Sequence, residues 1–305
     1  MKLRPLTHAD RPAVAQLICV STNYWYHVNR GFSIFANGPD SVGLFCEVYE
    51  ALDPGCCILA EEEATGMLMG SCFYHPRATH VSLGIMNVHP NYFGQGVARA
   101  LLRFITDFSD REGKPVRLVS SAMNLDSFSL YTRAGFVPRQ AFQDMTFSVP
   151  QEGLTLKADR HANVREAVLA DVGGIVDLEK AVSGIDRAKD FEYFIRDRQG
   201  IWSVLVCEGA DGAINGVLVS VDHPGSHMLG PGVMRSEAVA EPLLRAQLNA
   251  FKGRSPVFLL PVDSPLVQVA YGWGARNCEI HFAQVRGETQ PIRGVVMPTF
   301  MPETG

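Results

Sequence analysis

Three hundred and five residues are about twice a usual domain, so the length predicts two domains. With 47% hydrophobic and 19% charged residues, the chain can build a sizeable core, and its composition excludes intrinsic disorder. The net charge of −5 lacks the basic excess of a protein that reads phosphate backbones, so nucleic acid is excluded as the main partner.

In chain order, residues 3–6 read as a short strand. Asp10 suits a helix N-cap, with Arg11 and Pro12 in the first turn of a helix running to about residue 27. Residues 40–51 form a second helical stretch, and 56–60, 66–74 and 80–88 read as three successive strands. Residues 95–112 predict a strong amphipathic helix, apolar at Val97, Leu101, Leu102, Ile105 and Phe108. A strand over 116–120, a helix over 124–134 ended by Gly135, and a strand over 142–147 follow. This order predicts an α/β chain of the mixed-sheet, α+β type, mostly antiparallel and flanked by helices. Pro150, Gly153 and a polar run place a linker at 151–163, between domains at 1–150 and 164–305.

The two halves resemble each other. Leu3, Arg4, Ala9, Asp10, Val14 and Leu17 recur 161 residues later as Val164, Arg165, Ala170, Asp171, Ile175 and Leu178. Gly66 to Gly70, with His75-Pro76, echoes Gly212 to Gly216, with His223-Pro224. Leu101-Leu102-Arg103 echoes Leu243-Leu244-Arg245. The preserved order points to duplication. No apolar run approaches the roughly 18 residues of a membrane helix, and the first residues lack the apolar stretch of a signal peptide. The seven cysteines are scattered with no CxxC pair, and they read as reduced thiols of a cytoplasmic protein without a metal.

The chemistry concentrates in residues 84–102, GIMNVHPNYFGQGVARALL. An apolar strand ends at Val88, then Gly94-Gln95-Gly96 leads straight into a helix. Glycines let backbone N–H groups approach a ligand, and a helix N-terminus favours an anion such as pyrophosphate. The third glycine and ribose-binding acid of a dinucleotide fingerprint are missing.

Here the sequence resembles the GNAT superfamily of acyl-CoA-dependent N-acyltransferases. Val88-His89-Pro90 matches the family's strand end, and Phe93-Gly94-Gln95-Gly96-Val97-Ala98 its loop, although Phe93 stands where the family has Gln or Arg. Asn124, Leu130-Tyr131 and Gly135-Phe136 match a second hallmark. The resemblance implies two tandem GNAT-like domains. It also implies acetyl-CoA as co-substrate and acetyl transfer to a primary amine, of a small molecule or a peptide, by direct attack on the thioester. It further implies that strands four and five splay apart. Met86, Asn87 and Val88 would then hold the pantetheine arm, and Gly94, Gln95, Gly96, Val97, Ala98 and Arg99 the pyrophosphate. Asn124 would contact the cofactor, and Tyr131 would protonate the departing thiolate. His75 and His80 are candidates for the base, with His80 chosen. Glu47 and Glu50 could order a cationic acceptor, and Tyr24 to His27 could line its pocket or pack in the core. A homo-oligomer is compatible with this reading. The alternative is a non-catalytic acyl-CoA sensor or scaffold, or another acyl-CoA enzyme such as a decarboxylase.

The second half resembles the family less closely, as the degenerate C-terminal domain of tandem GNAT proteins. Gly230-Pro231-Gly232 precedes its helix at 236–251, but Glu237 at a phosphate site would repel the ligand. A spacing of 139 sets Asp263 opposite Asn124, Ala270 opposite Tyr131 and Gly274 opposite Gly135. This predicts a second copy that folds but lacks the polar groups of catalysis.

Overall fold

The computed structural model describes residues 1–154 and 163–301, and it divides into two compact units. Unit 1 is Met1–Leu118, joined by Phe300 and Met301; unit 2 is Val119–Thr299. Most of the expected linker lies outside the described residues, as does the last part of the tail. Among the described residues, no helix is long and apolar enough to cross a membrane.

Unit 1 runs β1 (Lys2–Pro5), α1 (Arg11–Arg30), α2 (Pro39–Leu52), β2 (Cys57–Glu61), β3 (Leu68–Pro76), β4 (Val81–Val88), α3 (Val97–Glu112) and the start of β5 (Val116–Ser121). The strands pair in chain order: β1 to β4 antiparallel, and β4 to β5 parallel. Val14, Ile18, Leu59, Phe73, Leu101 and Ile105 are fully buried, each contributing roughly 2 kcal/mol by removal from water. α3 presses closely on β3 because Gly70 has no side chain. A Cβ there would stand 2.9 Å from Val97 Cγ1 and 3.1 Å from Leu101 Cδ1.

Asp10 does not cap α1. Its carboxylate is taken by Arg4, whose Nη1 and Nη2 both donate at 2.8 Å, and by the Thr7 N–H. Arg4 Nε donates to Glu61 at 2.6 Å, so one guanidinium ties the entry of α1 to β1 and β2.

Unit 2 runs α4 (Leu125–Arg133), β6 (Val137–Thr146), β7 (Asn163–Glu166), α5 (Val172–Ser183), α6 (Ala188–Arg196), β8 (Trp202–Glu208), β9 (Ile214–His223), β10 (Ser226–Met234), α7 (Glu237–Leu248), β11 (Val257–Pro261), α8 (Leu266–Trp273), β12 (Arg276–Arg286) and β13 (Val295–Met297). Its strands lie in the order β12-β6-β11-β10-β9-β8-β7, with β13 on β10. The core gathers Met145, Phe147, Leu218, Leu244 and Phe258.

The duplication is visible in atoms. In unit 2, Arg165 donates to both oxygens of Asp171 at 2.8 Å and through Nε to Glu208 at 2.9 Å, while the Val168 N–H also reaches Asp171. This repeats the Arg4, Asp10, Glu61 and Thr7 arrangement group for group.

Within unit 2, β6 is flanked by two later strands. It pairs antiparallel with β11 on one edge, over Phe142 to Thr146, and with β12 on the other. The last strand of the first repeat thus sits between two strands of the second.

Candidate functional site

In unit 1, β4 carries a bulge. Leu83 pairs with Tyr74 and Met86 with Cys72, so Gly84 and Ile85 together oppose Phe73. Gly84 is required there: a Cβ would lie 2.8 Å from the Phe73 carbonyl oxygen and 3.0 Å from His75 Nε2. The parallel ladder to β5 consists of Val81 with Val116 and Ser82 with Arg117. Beyond Ser82 the two strands part, and the far edge of Met86, Asn87 and Val88 is left without a ladder to β5. An extended ligand can add its own hydrogen bonds to such an edge.

Past Val88 the chain makes a short turn, then reaches Gly94 (φ +75°) and Gly96 (φ +81°). Both are left-handed, which glycine adopts without penalty. Gly96 caps α3, and as a glycine it offers no side chain to the first N–H groups of the helix. Gly94, Gln95, Gly96 and Arg99 are exposed, Ala98 is half-buried, and Val97 is turned into the core. An added Cβ at Gly94 or Gly96 would meet nothing within 4 Å, so the space over the turn is open. No carboxylate occurs from Val81 to Thr106, a stretch that carries Arg99 and Arg103. Open N–H groups, a helix N-terminus and local positive charge together suit a polyphosphate.

The other candidates lie as follows. Asn87 donates through Nδ2 to Ser21 Oγ at 2.7 Å and to Thr22 Oγ1 at 3.2 Å, joining β4 to α1. Phe93 is half exposed and meets Tyr24 edge-on at 5.9 Å. His80 is buried, and both ring nitrogens are engaged, Nε2 with Ser82 at 3.0 Å and Nδ1 with Thr79 at 3.1 Å. His75 is also buried, 2.8 Å from Asp53, which Arg77 contacts at 3.0 Å. Glu50 accepts from the Gly55 N–H, near Arg11, and Glu47 is exposed. In unit 2, Asn124 caps α4 by accepting from the Ser127 N–H at 3.1 Å. Tyr131 is buried and packs on Phe136 at 5.9 Å.

Sequence reasoning missed a buried group in unit 2: Asp144, Glu279 and His281 present ligand atoms within 4.8 Å of one another, in an arrangement that could hold an ion. The three already serve each other and a neighbour. His281 Nδ1 lies 2.9 Å from Asp144, and Ser121 donates to Glu279. Burial pushes the Asp144 carboxyl above its ordinary range, the His281 bond opposes that, and Glu279 adds to it. These partners stand 137 residues apart, so no local spacing announces them.

The equivalent place in unit 2 is occupied by the chain itself. β10 bulges at Gly230-Pro231, and its ladder to β11 is again short, Met228 with Val257 and Leu229 with Phe258. The next residues, Gly232, Val233 and Met234, stand at the positions of Met86, Asn87 and Val88. They pair antiparallel with Met297, Val296 and Val295 of β13. Gly230 admits the segment that follows, since a Cβ would lie 2.7 Å from the Pro298 carbonyl oxygen. The Gly-Pro-Gly run therefore serves strand packing. Tyr131 and Ala270 correspond by their helix ends: the Phe136 N–H donates to the Tyr131 carbonyl as the Ala275 N–H does to that of Ala270. The neighbouring Tyr271 points elsewhere, its hydroxyl donating to Gln143 at 2.9 Å.

Residues 23–136 match the family model described as acetyltransferase (GNAT) family. Among solved structures, the chain is similar to a Pyrococcus horikoshii protein assigned as an acetyltransferase, with a TM-score of 0.74 and 18% identity over 97% of this chain and 91% of that one. It is similar to a GCN5-related N-acetyltransferase from Sphaerobacter thermophilus, with a TM-score of 0.66 and 17% identity over 95% and 96%. A tandem GNAT protein from the clavulanic acid biosynthesis pathway shares the fold at a TM-score of 0.63, with 15% identity over 95% and 99%. The UPF0157 protein YqkA of Bacillus subtilis is 34% identical over 71 residues, which span 23% of this chain and a fifth of that protein's length.

Proposed function

For a chain whose residues 23–136 match the acetyltransferase (GNAT) family model and whose fold is that of a tandem GNAT protein, we propose an N-acetyltransferase that uses acetyl-CoA and binds it on unit 1. The observation that carries this reading is the pairing of the open β4 edge with the left-handed glycine turn at the start of α3. When bound, the cofactor supplies an activated acyl group. The backbone of Met86, Asn87 and Val88 orients the pantetheine amides. The N–H groups of Gly94 to Arg99 hold the pyrophosphate, and the run from Val81 to Thr106 adds Arg99 and Arg103 but no carboxylate of its own.

The amine nitrogen attacks the thioester carbonyl carbon. A carbon–nitrogen bond forms, the carbon–sulfur bond breaks, Tyr131 gives its phenolic proton to the thiolate, and the proton that the amine nitrogen sheds passes to water, from which the phenol is restored. A phenol matches a thiol closely enough in pKa for this transfer. Phe93 replaces a polar contact to the phosphates, so the backbone bears more of the binding. His80, which the sequence offers as the base, meets Thr79 and Ser82 through its two ring nitrogens.

Thiol release from acetyl-CoA in the presence of a panel of amines tests the activity. Tyr131→Phe is expected to lower kcat by roughly 10²-fold or more and to leave the KM for acetyl-CoA unchanged. Equal turnover would reduce Tyr131 to a packing role. Cofactor binding without thiol release would favour a sensor.

A further inference from the structure

Within unit 2, one position of the β6–β12 ladder sets two carboxylates against each other: Asp144 of β6 stands directly opposite Glu279 of β12. A bulge makes this register. Asn277 pairs with Met145 and Glu279 with Asp144, so Cys278 is an extra residue on β12. Without it, Cys278 would oppose Asp144, and Glu279 and His281 would turn to the other face of the sheet, because side chains alternate along a strand. The bulge thus gathers an aspartate, a glutamate and a histidine on one face, at 3%, 8% and 6% exposure. Like charges directly opposite on neighbouring strands destabilise a sheet, and burial raises that cost. The conflict reaches the Asp144 carboxyl, which burial pushes up, with Glu279 adding to the push and the His281 bond opposing it. One imidazole, 2.9 Å from Asp144, carries at most a single positive charge against two carboxylates.

A divalent cation answers that imbalance. Each of the three residues offers one ligand atom, and these atoms lie within 4.8 Å of one another. In a tetrahedral zinc site, bonds of about 2.1 Å set the ligand atoms roughly 3.4 Å apart, a spacing that side-chain rotation reaches with the strands in place. Three protein ligands, one of them an imidazole, suit zinc or a neighbouring first-row ion, whereas calcium takes about six to eight oxygens and magnesium a regular octahedron. We propose that Asp144, Glu279 and His281 bind one zinc ion per chain, with water in the fourth position, and that the ion fastens β12 to β6. Ser121, which donates to Glu279, orients that ligand from behind. The expectation of a metal-free protein rested on cysteine spacing, and none of these ligands is a cysteine. Such a site is independent of the acyl-transfer chemistry proposed for unit 1.

The test is calorimetric titration of the full chain, stripped with EDTA and returned to chelator-free buffer, with zinc chloride and then with magnesium and calcium chlorides. One zinc per chain is expected. Asp144→Asn and His281→Gln should each weaken it about a hundredfold or more, and Ser121→Ala, which keeps all three ligands, about tenfold. His227→Ala, which removes the surface pair with Asp222, should change nothing. Wild type should melt at a higher temperature in zinc than in EDTA, and Asp144→Asn should melt alike in both. Cobalt in place of zinc is expected to give the visible bands of a tetrahedral ion without a thiolate charge-transfer band. Absence of zinc binding, preference for magnesium or calcium, or a wild-type melt indifferent to zinc overturns the proposal. So does a thiolate band, which would give the ion to the cysteines, and so does loss of binding in His227→Ala, which would leave an adventitious ion only. Circular dichroism checks that each variant folds; if a ligand variant does not, the wild-type titration, the cobalt spectrum and Ser121→Ala decide.

Discussion

At the scale of single residues, the repeated guanidinium clamp makes a pH-dependent contribution. The hydrogen bonds from Arg4 hold the Asp10 carboxyl well below the ordinary carboxylate range, and those from Arg165 do the same for Asp171. A depressed folded-state pKa adds stability above the unfolded value, and that stability is lost as pH falls through the folded one. Asp10→Asn and Asp171→Asn are each expected to cost about 1–2 kcal/mol at pH 7. The difference from wild type should be full above about pH 5 and shrink below about pH 4. Urea melts at several pH values measure it, and a constant difference down to pH 2 would contradict the clamp. Gly96→Ala poses a different question. The turn is open, so the added methyl meets no neighbour, and the cost is that of forcing φ near +81° on an L-residue, about 1 kcal/mol. The methyl then stands in the space through which a pyrophosphate would approach. Weaker acetyl-CoA binding, read by calorimetry against a nearly unchanged melt, is expected.

At the scale of elements, the bulge in β4 is what the open edge depends on. Gly84→Ala places a methyl against the Phe73 carbonyl and His75, neither of which can retreat far inside a packed sheet. It should destabilise unit 1 by about 1–3 kcal/mol and weaken cofactor binding, whereas Gly43→Ala on α2, where nothing lies within 4 Å, should do neither. Comparison of thermal melts and acetyl-CoA titrations for the two variants checks this. Much of this level was legible in the sequence. The amphipathic period of 95–112 gave α3, the glycines at 94 and 96 gave the turn, and the spacing of 161 gave the recurrence of Arg4 and Asp10 as Arg165 and Asp171, though not the bonds between them. These signals are local or strictly periodic. The bulge pairing, the burial of His80 and the Asp144–Glu279–His281 group were not legible, because each depends on which strands become neighbours. Asp10 misled for a related reason. An aspartate before Arg-Pro has the look of a helix cap, but its acceptor oxygens were already claimed by an arginine six residues earlier.

At the scale of the whole molecule, the two copies differ at the same structural position. β4 keeps its edge open, whereas β10 spends it on β13. Calorimetric titration of the full chain with acetyl-CoA is therefore expected to give one site per chain. A second site, or an ordered cofactor beside Gly232, would refute the asymmetry. The placement of β6 bears on dissection. A fragment of residues 1–150 ends in a strand whose partners are residues 257–261 and 276–285. Such a fragment should be aggregation-prone when expressed alone and should be recovered when residues 151–305 are co-expressed. Independent folding of the short fragment, by heteronuclear NMR, would argue that β6 finds other partners.

The same strand sets a timetable for synthesis. β6 is finished at Thr146, and its first lasting neighbour begins at Val257, 111 residues later (257 − 146). At the usual pace of translation, about 5–20 residues per second, the nascent strand waits on the order of 5–20 s with both edges unsatisfied. During that interval Phe142 and Met145, fully enclosed in the finished protein, are open to whatever the ribosome exit offers. Selection for a smooth birth would act on that interval, through slow or fast codons between the two strands and through the holding chaperones that meet the chain, and a ribosome-stalled series ending between residues 150 and 290 would show the protease-resistant state arriving late, in one step.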